Sequence, residues 1–320
     1  MKASIYLMMV PALAGAAWGA VQKVETAYWK ATYTGAGQLS VQQNAWPKIE
    51  PVMDASSNFT HWLLAAVPTN LPTYGVSDAG YVVFWVLNGD AKGRLMITAK
   101  QSSKPALQYF SVICSNSNMK GISIVLPSGS TFGTGVPLSV PTWSPFGASL
   151  SDFPMILCDG DAGAVSFNCD LWGTLVYAKS IKTVRLKNAY LSSLVTGAPL
   201  RRQTVVAGTV TNRNVLIFGG GKIATIVAKR LLATCITVGA PLLDGYMDDM
   251  PGVYALNPPG GAIGSFTAQE LRGLGTYDGS RWLTSGRYIP NMNVMILSTG
   301  IERQHIKRII TEHTSVYLND

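Results

Sequence analysis

Charged residues are scarce in this chain of 320 residues. Asp, Glu, Lys and Arg together make up 13% of it, whereas roughly a quarter is usual in soluble globular proteins. Acids are the scarcer kind, since 17 Asp and Glu stand against 25 Lys and Arg, for a net charge of +8. No block of five or six basic residues occurs, which excludes the arginine-rich arm of many nucleic-acid packaging proteins.

Histidine and the common catalytic motifs are equally sparse. The three histidines are His61, His305 and His313, and none belongs to an HExxH or other compact metal-ligand spacing. The chain also has no G-x-S-x-G turn of the kind that carries the nucleophile of α/β-hydrolases. We therefore predict no metal site, no cofactor and no catalytic residue.

Two clusters of aspartates are the sequence features that most resemble a cation site. Asp159 and Asp161 lie in "CDGDAG", and Asp244, Asp248 and Asp249 lie in "DGYMDDMPG". The first cluster supplies two of the oxygens that a calcium loop needs, but it lacks the third Asp or Asn and the bidentate Glu of an EF-hand. Both clusters are typical of solvated turns.

The N-terminus has the three parts of a secretory signal. Lys2 is followed by an apolar run from Ile5 to Ala14 and then by small residues at Ala14–Ala16 and Ala17–Gly19, which suit signal-peptidase cleavage. The run is shorter than the roughly 20 apolar residues that span a bilayer, so no transmembrane span is predicted. We expect an exported protein, with an apolar arm (residues 1–20) retained in the mature protein as the alternative.

The four cysteines, Cys114, Cys158, Cys169 and Cys235, form no CxxC pair, which argues against a zinc or thioredoxin site. In an exported chain one or two disulfides are expected. Cys158 and Cys169 flank the turn signal "DGDAG", and a hairpin folded there would bring them within bridging distance. The alternative is four buried thiols.

Short apolar, β-branched and aromatic runs dominate the chain from residue 21 to about 190. They recur about every ten residues with Gly, Pro, Asn and Ser between them, and "GYVVFWVLNGDAKGRLMITAK" is the clearest hairpin pattern. This spacing is typical of an antiparallel β-sandwich or jelly roll. We predict a mainly β fold, with a β-sandwich domain over residues 21–190.

The pattern changes after residue 190, where we place a second β-rich or α+β region (residues 191–320). "SFTAQELRGL" begins with candidate helix caps, and the isoleucines from Ile301 to Ile310 supply an apolar face for a helix over residues 300–312. The segment "SSLVTGAPLRRQ" suits a boundary near residues 188–205.

The stretch "NVLIFGGGKIATIVAKRLL" poses the sharpest question of function. Gly219, Gly221 and Ala224 have the spacing of a dinucleotide-binding turn, in which a helix N-terminus faces the pyrophosphate. The acidic residue expected after the next strand is missing, because "CITVG" ends in Gly239 and Ala240. The β-branched residues after the glycines favour a β-hairpin instead.

Tryptophans in turn-like contexts are the best candidates for ligand contacts. Trp46, Trp143 and Trp282 stand in "NAWPK", "VPTWSPFG" and "GSRWLTSG", and rings on loops stack on sugars or anchor protein partners. With its signal-like start, β-rich body and low charge, the layout resembles that of bacterial fimbrial tip adhesins. That resemblance implies a non-enzymatic surface protein that binds a glycan or a protein subunit, with oligomeric assembly possible.

Two other functions remain open at this point. "SVPTWSPFGASL" and the later "LWGTLVYAKSIKTV" are similar to the closing strands of a viral jelly roll, which implies a capsid or coat subunit, a virion location and a basic surface that faces nucleic acid. The third function is that of an enzyme that binds a nucleotide at Gly219–Ala224.

Overall fold

The computed structural model describes residues 21–68, 82–100, 107–108, 110–133, 155–190, 192–207, 210–232, 234–240, 242–243, 260–272, 276–277, 282–283, 294–310 and 315–317. Every regular element in these ranges is a β-strand, so the predicted mainly β fold is confirmed. The signal-like segment (residues 1–20) lies outside the described residues. No helix in the described part of the chain is long and apolar enough to cross a membrane.

Most strands belong to successive coils that wind through three parallel sheets, which we name A, B and C. Sheet A contains β6 (Val82–Leu87), β9 (Phe110–Ser115), the first parts of β12 (Met155–Phe167) and β14 (Leu175–Tyr190), β15 (Ser193–Thr196), β19 (Cys235–Val238) and β24 (Met295–Leu297). Sheet B contains β7 (Arg94–Ala99), β10 (Met119–Val125), the second parts of β12 and β14, β18 (Lys222–Leu232), β21 (Ala262–Arg272) and β25 (Ile301–Ile310).

Sheet C is the shortest and completes each coil. It contains β8 (Leu107–Gln108), β11 (Thr131–Gly133), β13 (Asp170–Trp172) and the last residues of β14, β18, β21 and β25. Each coil pairs in parallel with the next, so the chain forms a β-solenoid of the parallel β-helix type.

Ladders of buried side chains run along the inside of all three sheets. In sheet A each member pairs in register with the next, in the order Phe84, Val112, Ile156, Val176, Leu194, Ile236 and Ile296. The ladder in sheet B is Leu95, Ile122, Val165, Val184, Ile226 and Phe266. The ladder in sheet C is Phe132, Leu171, Ala189, Leu231, Leu271 and Ile309. These side chains are all within one buried cluster, and their burial is the main stabilising term of the fold.

Antiparallel strands cover the N-terminal edge of the solenoid. β1 (Val21–Glu25) pairs with β2 (Trp29–Thr34), and β2 pairs in turn with β7, the first strand of sheet B. β3 (Gln38–Gln43) pairs with β6, the first strand of sheet A. The first strands of sheets A and B are therefore covered on that side by antiparallel partners.

Two antiparallel hairpins pack on the outside of sheet A, and we call them arms. The first arm is β4 (Ala45–Met53) with β5 (Phe59–Pro68), and the second is β16 (Ala198–Ala207) with β17 (Val210–Gly219), extended by β20 (Leu242–Leu243). Their apolar residues share a second buried cluster with the outward side chains of sheet A. The remaining strands are β22 (Thr276–Tyr277) with β23 (Trp282–Leu283), and β26 (Ser315–Tyr317) on β25.

The parallel pairing corrects several predictions. The predicted antiparallel sandwich or jelly roll is not confirmed, because the strands from β6 to β14 pair in parallel between coils. β6 and β7 do not pair with each other, because the turn between them is a corner of the solenoid. Of the two alternatives for residues 191–320, the described part of that region shows only strands, and the segments predicted as helices are β21 and β25. Parallel pairs also join β14 to β15 and β18, while the proposed division into domains stays a prediction.

The glycine stretch is a solenoid corner. Lys222–Leu232 is the strand β18, which pairs with β14 and β21 rather than with β17, so neither the hairpin nor the strand–turn–helix unit of a dinucleotide site forms. Gly220 and Gly221 have positive φ values of 59° and 83°, which glycine adopts without strain. A Cβ added at Gly239 or Gly261 on the next coil would collide with the carbonyl oxygen of Gly220. These glycines therefore allow the backbones at the corners of successive coils to approach each other closely.

Candidate functional site

The outer face of sheet B carries an unusual concentration of positive charge. Because side chains alternate along a strand, each strand buries one set of residues and exposes the other. Ten lysine and arginine residues on these strands are exposed, with Arg230 and Arg272 at the border with sheet C: Arg94, Lys120, Lys182, Arg185, Lys222, Lys229, Arg230, Arg272, Arg303 and Lys307. We call this surface the basic face.

Few acids oppose these cations. Among the described strands of sheet B, the exposed acidic residues are Asp161 and Glu302. Glu270 is buried at 8% exposure, where Arg272 Nε lies 2.6 Å and Arg230 Nε lies 4.0 Å from its Oε1 atom. The basic face therefore keeps a strong net positive charge, which attracts anionic partners over about a Debye length.

A groove of about 1140 Å³ runs across the first five strands of sheet B. At a strand spacing of about 4.8 Å, five strands span about 19 Å. Arg94, Lys120, Lys182 and Lys222 line it together with Asp161. Apart from the exposed Met96 at one end, its outward-facing floor residues are small: Gly121, Ser123, Gly163, Ala164, Ser166, Thr183 and Ala224. Short side chains on the floor and long cations beside them leave room for an extended ligand that bears negative charges.

A smaller cleft of about 330 Å³ lies between the arms and the corner that joins sheets A and B. We call it the aromatic cleft, because Phe59, Trp62 and Tyr177 line it. The ring centroids of Phe59 and Trp62 are 5.2 Å apart and those of Trp62 and Tyr177 are 5.7 Å apart, both in edge-to-face arrangements. Edge-to-face pairs are favourable and fix the ring orientations.

Hydrogen bonds hold Tyr177 at the base of this cleft. Its hydroxyl donates to the carbonyl oxygen of Gly197 at 3.0 Å. Burial raises the pKa of the Tyr177 hydroxyl well above its ordinary value, and a hydrogen bond with Trp62 acts in the opposite direction. Tyr177 therefore stays protonated at neutral pH, and its ring packs edge-to-face against Trp62.

Polar groups line the other wall of the aromatic cleft. His61, Asn118, Asp159 and Lys179 contribute side chains to it. The Asp159 carboxylate accepts the backbone N–H groups of Asn116 at 2.6 Å and Ser117 at 3.0 Å. The His61 Nδ1 atom lies 3.0 Å from the Thr60 hydroxyl. Asn118 lines both the cleft and the groove of the basic face, so the two are neighbours.

Stacked asparagines build the corner beside the aromatic cleft. Asn88 and Asn116 occupy equivalent positions on consecutive coils, with φ values of 56° and 49°, a left-handed conformation that Asn tolerates well. The Asn116 side-chain amide donates to Asn88 Oδ1 at 2.6 Å. Asp159 follows on the next coil, and its carboxylate accepts the backbone N–H groups of Asn116 and Ser117. The described residues contain no cluster of three or more potential metal ligands.

The structure places the other predicted residues as follows. Trp143 and the second aspartate cluster lie outside the described residues, as do the side chains of Trp46 and Trp282. The hairpin that was expected to join Cys158 to Cys169 does not form, since both lie on one coil and Cys158 is in register with Cys114 on the preceding coil. All four cysteines are free and buried.

Sequence reasoning missed the basic face because coil length varies. Equivalent residues on successive coils, such as Val176, Leu194 and Ile236, are separated by 18 and then 42 positions, so no fixed period marks the repeat. One signal was visible in "AKSIKTVRLKN" (residues 178–188), where cations alternate with buried apolar residues. Comparisons of the chain with protein-family models, curated proteins and solved structures gave no match.

Proposed function

We propose that this chain is a non-enzymatic, exported binding protein that holds an acidic polysaccharide along the basic face. The observation that carries the proposal is the concentration of ten exposed cations on the strands of sheet B, four of which line a groove whose outward residues are mostly small or hydroxyl-bearing. Carboxylate or sulfate groups on a polymer would pair with the lysines and arginines. Ser123, Ser166 and Thr183 offer hydroxyl groups to the sugar rings.

Nucleic acid is the other polyanion to consider. Proteins that bind single strands stack bases on aromatic rings, and none of the Phe, Tyr or Trp side chains on the described strands of sheet B is exposed. Hydroxyl-bearing residues over the floor of the groove fit a polyhydroxylated ligand better. This contrast favours a glycan over the genome-facing surface of a coat subunit.

Binding to polygalacturonate, measured by biolayer interferometry with neutral dextran as the reference polymer, tests the proposal. We expect the double variant K182Q/K222Q to bind polygalacturonate about fivefold more weakly, at about 0.5 kcal/mol for each exposed ion pair lost. The matched control K48Q/R201Q removes two cations from the arms and should bind as the wild type does. Single-stranded DNA serves as the competing probe.

Two results would count against the proposal. Equal losses in K182Q/K222Q and K48Q/R201Q would mean that binding follows net charge and not the basic face. Tighter binding of single-stranded DNA than of polygalacturonate at the same salt concentration would favour a nucleic-acid function instead.

A further inference from the structure

We infer that the aromatic cleft is a second binding site, which takes a single uncharged hexopyranose ring. It is distinct from the acidic-polymer site, because Asn118 is the one residue that lines both and the charges of the two linings differ. Lys179 and Asp159 place one positive and one negative charge in the cleft, whereas the groove of the basic face has four cations and one acid. A neutral ligand is therefore the better match to the aromatic cleft.

The apolar wall fits the face of a sugar ring. Trp62 and Phe59 are only partly buried, so ring surface remains accessible in the cleft. Their edge-to-face packing and the buried Tyr177 beneath them fix the wall before a ligand arrives. A preorganised aromatic surface loses little conformational entropy on binding. The C–H groups on one face of a pyranose would pack against it.

The polar wall fits sugar hydroxyls. The Asp159 carboxylate accepts one backbone N–H on each oxygen, and each oxygen has capacity for a further hydrogen bond. Lys179 is exposed on the strand β14 and offers an ammonium donor. An acceptor and a donor opposite an aromatic wall can bind adjacent hydroxyl groups, and the volume of about 330 Å³ lies within the usual range for small-ligand sites.

The test uses the full chain and the methyl glycosides of glucose, galactose and mannose as probes, followed by saturation-transfer NMR and tryptophan fluorescence. We expect at least one glycoside to bind with a dissociation constant of about 1 mM. The W62L variant should lose about tenfold in affinity for that glycoside, and K179M should lose several-fold. K48Q, at a position of the first arm that does not line the cleft, should bind normally.

Salt dependence and the two sets of variants distinguish binding in the aromatic cleft from binding on the basic face. Binding of the neutral glycoside should not change between low and high salt, and K182Q/K222Q should leave it intact. No binding of any of the three glycosides up to about 50 mM, or equal binding by wild type, W62L and K179M, would overturn the inference. Should W62L fail to fold, the exposed substitution K179M decides the question. Failure to bind polygalacturonate would instead remove the proposed function and leave this result untouched.

Discussion

Individual glycines decide how closely the coils of this protein can stack. Gly163 on β12 has no positive φ value, yet a Cβ at this position would collide with the backbone carbonyl of Lys120 on the neighbouring strand. Gly300 offers a contrast, since a Cβ there would meet nothing within 4 Å. Comparing substitutions at these two positions therefore distinguishes a steric need for glycine from the effect of its backbone flexibility.

We predict that G163A lowers the free energy of unfolding by about 2 kcal/mol, because the backbone must shift to admit the methyl group. G300A should change it by less than about 0.5 kcal/mol. Urea denaturation followed by circular dichroism measures both values. Equal effects of the two substitutions would mean that the coils do not pack as closely as the structure shows.

Buried thiols should be unreactive in the folded protein. Cys158 Sγ donates to the carbonyl oxygen of Ser117, and burial raises the pKa of Cys169 to about 12. The pKa of Cys114 is raised by its hydrogen bond with Cys158 and by burial. Because the thiolate is the reactive species, groups held protonated within the core react only when the chain opens.

We expect iodoacetamide at pH 8 to modify none of the four cysteines of the native protein within the time that labels all four in urea. Mass spectrometry of intact protein counts the adducts and would also detect a disulfide by its mass. Protection that persists in urea without reductant would mean that a Cys–Cys bond had formed, contrary to the four free thiols of the structure.

Within a strand, successive side chains point alternately to the core and to the surface. On β18, Ile226 belongs to the inner ladder of sheet B and is fully buried, whereas its neighbour Val227 is 40% exposed on the basic face. Ile226 is in register with Val184 on one side and with Phe266 on the other. Removing its side chain would leave a cavity between two coils.

We predict that I226A lowers the free energy of unfolding by about 3 kcal/mol, and that V227A lowers it by less than about 0.5 kcal/mol. The pair is measured by chemical denaturation under identical conditions. A helix over Lys222–Leu232 would place the two side chains differently, so similar losses in both variants would contradict the strand assignment.

The strand β25 shows why a local pattern misleads in this chain. The isoleucines of "GIERQHIKRII" have helical spacing, yet Ile301–Ile310 is the strand β25. Isoleucine is β-branched and favours strands, and β21 provides a parallel partner over most of the segment. Pairing with a neighbouring coil therefore overrides a periodicity that a segment of ten residues can show by chance.

At the scale of the whole molecule, the basic face should make added salt stabilise the fold and weaken binding of an acidic polymer. Like charges on one sheet repel each other and lower the stability of the folded state, while the same charges attract an acidic polymer. Screening weakens both interactions, because the Debye length falls as ionic strength rises.

We predict that raising the NaCl concentration from about 0.05 M to about 0.5 M stabilises the fold by about 1 kcal/mol and weakens polygalacturonate binding at least several-fold. Thermal denaturation and interferometry at matched salt concentrations measure the two effects. The K182Q/K222Q variant should show a smaller change in both. A stability that falls with added salt would indicate that attractive ion pairs, such as Glu270 with Arg272, outweigh the repulsion.

Composition and short-range pattern were enough to indicate a mainly β chain. Low charge, β-branched runs and frequent turn residues make strands the favourable local state, and most of the strands along residues 21–190 are visible as apolar runs such as "FSVIC" and "ISIV". The same information separates buried from exposed positions within a strand like β14, because alternation is a property of neighbouring residues.

Only the tertiary structure decided how those strands pair. A strand carries the same donors and acceptors for parallel and for antiparallel partners, so "VVFWVL" and "RLMITA" look like a hairpin although they belong to different sheets of one coil. The basic face and the aromatic cleft depend on that choice, since residues far apart along the chain, such as Lys120, Lys182 and Lys222 or Trp62 and Lys179, become neighbours only when the coils stack. The stacking is set by the register of long-range ladders, which no local segment encodes.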